Sequence, residues 1–171
     1  MEDQEPSGID KDHGHPRALQ IIADDFFWDC TDELAPFGSD EGDTALAEYR
    51  DWRKENPGQA LEACLTWTIE SVGEIDASEY SDGIYDETTV REQLEDPDFD
   101  DQQLIYTTDV SVIATAFGQL ADEGAIDATA KPYAARALKR QIVWARLQPD
   151  WDHADAYIGN LERLQAALAE A

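Results

Sequence analysis

Asp25, Asp29 and Asp32 follow one another at i, i+4 and i+7, and on a helix that spacing sets three carboxylates along one face. Hard divalent cations take such oxygen ligands. His13 and His15 stand just upstream and could add imidazole, extending the same region towards zinc or manganese and metal-assisted hydrolysis. The competing reading is compositional: with 39 Asp and Glu in 171 residues, carboxylates fill every polar face whether or not a metal binds. Asp96-Pro97-Asp98-Phe99-Asp100 copies the first half of a calcium loop, yet its sixth position is Asp101 rather than Gly and its twelfth is Thr107 rather than Glu. It fails as an EF-hand. No GxSxG, Walker-type loop or GxGxxG occurs, and Cys30 and Cys64 form no CxxC pair. The residues therefore point to no catalytic group, no metal and no cofactor, and a hydrolase built on the aspartates is the alternative to a protein that acts by binding.

Charge says what could be bound. Against those acids stand 12 Lys and Arg, for a net charge of -27. Unassisted binding to nucleic acid or to an anionic membrane needs cations that displace counterions from phosphate, so both are excluded as expectations. A basic protein is the partner that fits, since an anionic surface speeds association with a cationic one. The acids concentrate in residues 74–101, where twelve of them face Arg91 alone. From this segment and the Ser-Asp-Glu-Gly turn, the expected partner-binding residues are Asp40, Glu41, Asp96, Asp98, Asp100 and Asp101. A surface adapted to high salt is the rival explanation, since only four of the twelve bases are Lys. Residues 128–149 invert the pattern with five bases and no acid. Arg136, Lys139 and Arg140 share one face there, and docking onto the acidic segments is the expected use of that face.

Holding such groups in place requires a fold, and 42% hydrophobic residues with 5 Trp, 6 Tyr and 5 Phe supply one core of ordinary size. The fold class expected is mainly α: a compact domain of six or seven helices over residues 16–171, with an acidic connector at 74–101 and one or two short strands at most. Residues 1–15 read as a flexible lead-in with neither a secretory signal nor a span, which points to the cytoplasm. Leu19, Ile22, Phe26, Cys30 and Leu34 recur at three and four, predicting a first helix of about 18 residues from Pro16. Cys30 and Cys64 both read as reduced core thiols. A second helix follows an N-cap at Asp43 or Thr44, and a third ends at Gly73 as a left-handed cap. The connector reads as partly mobile, with a short helix from about Thr89 to Glu95. Residues 103–106 read as a strand or a lead-in to a helix capped by Thr108 or Asp109, and two more helices complete the chain. Trp28, Phe37, Tyr49 and Trp52 could line a groove but recur at core spacing.

The run DDFFWDCTDELAPFGSDEGDTALAEYRDWRKENPG, residues 24–58, resembles the bacterial YfeS-like family in its aromatic-acidic segment, its PFGSDEG turn and its WRKENP helix end. IATAFGQLADEGAID, residues 113–127, is a second match. The resemblance would span most of residues 13–168. It implies a bacterial, cytosolic protein and suggests neutralisation of a toxin, in the way of an immunity or antitoxin-like inhibitor; it transfers no catalytic residue.

Overall fold

Residues 108–121, TDVSVIATAFGQLA, contain one charged group, and a helix of that composition is apolar on all sides. It has to be surrounded. In the computed structural model, which describes residues 8–171, every one of these fourteen residues is buried within helix α5, Thr108–Glu123. Its wall is made by α1 (Pro16–Ile21), α2 (Asp40–Glu55), α3 (Glu62–Gly73) and α6 (Lys131–Arg146). The last helix, α7 (Ala154–Glu170), packs on α6, as does the short α4, Glu87–Glu95. These seven α-helices share one continuous hydrophobic core, and no strand occurs among the described residues. Gly118 lets α2 approach α5, because a Cβ there would lie 3.0 Å from Leu46 Cδ1. The stretch Gln102–Glu123 is long and apolar enough to cross a membrane by length and composition, and 83% of its most apolar window is buried inside the fold.

Asp109 is the charge inside that apolar helix, and its partners define the centre of the molecule. Arg140 of α6 meets it with two hydrogen bonds, Nε to Oδ2 and Nη2 to Oδ1, each 2.8 Å. The Tyr80 hydroxyl donates to Oδ1 at 2.5 Å and Gln141 Nε2 to Oδ2 at 3.0 Å. Tyr157 of α7 then donates to Gln141 Oε1 at 2.6 Å. Side-chain exposure is 4% for Arg140 and 0% for Asp109. Burial works against the Arg140 charge, the adjacent Asp109 carboxylate outweighs it, and the guanidinium is held more firmly protonated than in water. Burial and then the Asp109 charge hold the Tyr80 hydroxyl protonated, well above its ordinary range.

Other arginines strap pairs of elements together. Arg50 and Arg53 of α2 pair with Asp122 and Glu123 at the end of α5. Arg136 of α6 holds Asp82 of the connector, and Arg163 of α7 holds Asp24. Arg17 donates to the carbonyls of Gly124 and Glu170. The expected docking of the basic helix onto the acidic segments is thus seen for Arg136, which holds Asp82, whereas Arg140 is buried against Asp109 of the apolar helix α5 and Lys139 lies above the Tyr85 ring.

Several expectations need correction. The first helix stops at Ile21 rather than running to residue 34, because Phe26, Phe27 and Trp28 are three consecutive aromatics that one helical stripe cannot bury. A 3-10 turn at Asp25–Trp28 buries Phe27 and Trp28 instead, and the Trp28 indole caps the Ile22 carbonyl at 2.9 Å. Cys30 is consequently exposed, whereas Cys64 is buried as expected. Of the lead-in, residues 8–15 are ordered: Ile9 is buried, Lys11–His13 forms a 3-10 turn and His15 caps α1. Residues 1–7 lie outside the described residues. Ser39, not Asp43 or Thr44, caps α2, since its hydroxyl accepts from Gly42 N at 3.1 Å. The left-handed residue after α3 is Glu74, while Gly73 stays helical against Thr108. Residues 103–106 are the lead-in to the helix rather than a strand: they form part of a π-helical turn, Gln102–Thr107, that runs straight into α5, with no side chain capping its start. In the connector two 3-10 turns, Ala77–Glu79 and Asp82–Tyr85, precede α4, the short helix expected there, and Tyr80 and Val90 enter the core.

Asp109→Ala leaves Arg140 buried without its counter-ion and is expected to cost about 3–5 kcal/mol in urea denaturation. The double variant Asp109→Leu/Arg140→Met should recover part of that loss, because it removes both charges. Burial pushes the Cys64 thiol up to about 11, so at pH 8 a thiol reagent should modify Cys30 alone in the native protein and both cysteines in denaturant.

Candidate functional site

The aspartates that suggested a metal site do not meet. Asp25 points into solvent and pairs with Lys11 at 3.2 Å. Asp29 accepts from the Thr31 amide and hydroxyl, and Asp32 from the Leu34 amide, so each closes a local turn in place of a helix. His13 bonds Asp10, and His15 Nδ1 accepts from the Arg17 amide. Among the described residues no three His, Cys, Asp or Glu side chains converge as metal ligands. The aromatic residues read as a possible groove are core: Trp28, Phe37 and Tyr49 are buried, and Trp52 lies half-buried beneath Arg53.

A cleft of about 620 Å³ opens elsewhere, where the turn before α2, the π-helical turn, the end of α6 and the start of α7 come together. That volume is in the range of small-molecule or side-chain sites. Four aromatic rings form its wall in sequence: Tyr106 to Trp144 at 5.3 Å, Trp144 to Trp151 at 5.9 Å and Trp151 to Tyr157 at 5.5 Å between centroids. Trp144 and Tyr157 are buried, Tyr106 and Trp151 half-buried. Both buried rings are fixed by their polar ends, Tyr157 through Gln141 and Trp144 through Asp101 Oδ2 at 3.0 Å. Glu33, Asp40, Glu41 and Asp150 also line the cleft; His153 is its one basic group, and no Lys or Arg borders it. The cation–π contacts made within the fold fall on other rings, Tyr49, Trp52, Tyr80, Tyr85 and Tyr133.

The local sequence explains this geometry. In the PFGSDEG turn the chain doubles back so closely that a Cβ on Gly42 would lie 2.0 Å from the Pro36 carbonyl oxygen. Ser39 caps α2 there, which places Asp40 and Glu41 in its first turn, where the helix dipole favours anions. The turn thus reverses the chain and starts α2 beside the cleft. On the opposite side the π-helical turn leaves the Leu104 and Ile105 carbonyls to accept from Arg140 Nη2 and Gln141 Nε2, and Tyr106 falls in the wall. Burial, then the charges of Glu41 and Glu33, raises the Tyr106 hydroxyl above its ordinary value.

Of the residues expected to bind a partner, Asp40 and Glu41 line the cleft and Asp101 stands behind Trp144. Asp96, Asp98 and Asp100 are exposed on the neighbouring turn, where Asp96 accepts from the Asp98 amide and Asp100 from the Gln103 amide. Sequence reasoning missed Glu33, Asp150 and the whole aromatic wall. The usable signal was the Pro149-Asp150-Trp151-Asp152-His153 turn, whose aromatic residue lies outside any helical stripe.

Gly42→Ala should destabilise the protein by about 1–3 kcal/mol through the Pro36 clash, whereas Gly159→Ala, with open space inside α7, should stabilise by about 0.5–1 kcal/mol. Thermal denaturation of the two variants distinguishes the effects. No protein-family model, curated protein or solved structure compared with this chain matches it.

Proposed function

We propose that this chain is a non-enzymatic binding protein that covers the basic surface of a partner protein, in the manner of an immunity or antitoxin-like inhibitor. One observation carries the reading: acids on the rim of the cleft and Asp96, Asp98 and Asp100 on the adjoining turn project outward, while Arg50, Arg53, Arg136, Arg140 and Arg163 are spent on straps inside the fold. The outer field is therefore anionic on the face that also has a concave recess, the combination that steers and then seats a cationic partner. Membership of the bacterial YfeS-like family and a place in the cytoplasm belong to the same proposal. The hydrolase alternative has less support, because Asp25, Asp29 and Asp32 each serve a separate contact.

Tagged protein incubated with lysate of its source should retain a basic protein that raised salt releases. With that partner purified, the triple variant Asp96→Asn/Asp98→Asn/Asp100→Asn is expected to slow association about tenfold at low salt and to flatten its salt dependence. Unchanged rate and salt slope would remove the turn from the interface, and retention of nucleic acid or of acidic proteins instead would contradict the reading.

A further inference from the structure

We infer that the aromatic-walled cleft seats one arginine side chain of the basic partner, an inference that rests on the binding reading above and names the chemistry of its contact. A recess of about 620 Å³ exceeds a single side chain, so the occupant enters with part of its backbone or with water. Its wall is Tyr106, Trp144, Trp151 and Tyr157, and tryptophan and tyrosine faces attract cations, most strongly where water is partly excluded. A neutral apolar ligand would suit the rings but would desolvate Asp40 and Glu41 at the rim without replacing their hydrogen bonds. An anion would meet the same carboxylates with no Lys or Arg to offset them. Between the two common cationic side chains, the planar guanidinium both stacks on rings and bonds carboxylates in its plane, and its weaker hydration lowers the cost of entering a partly closed site. The buried aromatic pair cannot turn away to refuse it, since Asp101 and Gln141 fix the polar ends of Trp144 and Tyr157. The arrangement is set before the partner arrives, and preorganisation of this kind favours affinity.

The test is a titration of the folded protein with N-acetyl-arginine methylamide and, separately, with the neutral, nearly isosteric citrulline compound, followed through the tryptophan indole N–H and the backbone amide resonances. The Trp144 and Trp151 signals should move and saturate with the arginine probe, and binding of the citrulline probe should be at least about tenfold weaker. Asp40→Asn/Glu41→Gln, which keeps side-chain shape on an exposed first turn, should weaken the arginine probe about fivefold or more while leaving the spectrum of the rest of the fold in place. Equal response to citrulline would overturn the inference, as would an absence of shifts at both indoles. If arginine shifts were confined to the 95–101 turn, the cleft would be excluded while the basic-partner reading stood. If neither the arginine probe nor an oligo-arginine peptide perturbed any resonance, both would fall.

Discussion

Arg140 and Asp109 bring two full charges into a helix-lined interior where neither retains appreciable contact with water. Desolvation of such a pair costs several kcal/mol per ion, and only dense hydrogen bonding offsets it. Here Tyr80, Gln141 and the Leu104 carbonyl complete the coordination of the two groups. The elements that supply those partners are the connector, the π-helical turn, α5 and α6, so the pair sets how four parts of the chain meet. Through Gln141 it also fixes Tyr157, and through the π-helical turn it fixes the segment that carries Tyr106. The cleft is thus an outer consequence of a buried electrostatic arrangement.

The same economy explains why so acidic a chain folds. Its few arginines are placed between elements, as with Arg50 and Arg53 across α2 and α5 or Arg163 across α7 and the turn at Asp24. Partly exposed pairs of this kind each contribute little to bulk stability. Their value is in orientation, because each holds one relative placement of two helices. A few acids also tie segments together, as Asp101 does to Trp144 and Asp127 to the Leu61 amide, and the exposed acids give the molecule its long-range field. Stability comes instead from the apolar burial around α5 and from Phe27, which meets Trp28, Phe37 and Phe117 edge-on at 4.9 to 6.1 Å.

Much of the helical architecture was legible in the sequence because α2, α3, α6 and α7 carry a period near 3.6, while α2, α5 and α6 stop just before Asn56-Pro57-Gly58, Gly124 and Pro149. The segment from Pro16 to Phe37 was misread for a reason periodicity does not capture. Leu19, Ile22, Phe26, Cys30 and Leu34 fit a stripe, but Asp29 and Asp32 offer their side chains to nearby amides, and the aromatic triplet needs two directions into the core. In the connector, acidity masked Tyr80 and Val90, whose burial makes the segment part of the core. At the cleft, composition identified the charge at Asp40 and Glu41 while leaving the wall unseen. Tyr106, Trp144, Trp151 and Tyr157 lie on four different segments, so only tertiary packing brings them together.

An acidic surface kept for a partner and one kept for life in concentrated salt differ in what the isolated protein needs in order to fold. Screening shortens the reach of repulsion between exposed carboxylates to about 3 Å at molar ionic strength, from about 10 Å at a tenth of that. A salt-adapted fold depends on that screening, whereas one held by an apolar core and internal arginine straps does not. The decisive measurement is urea denaturation followed by circular dichroism from about 0.1 M to 3 M potassium chloride. We expect a cooperative transition from a fully helical protein already at the lowest salt, with only a gradual gain in midpoint as salt rises. A chain that is unfolded at the lowest salt and gains its helices only at molar concentration would contradict the assignment of its acidity to partner binding.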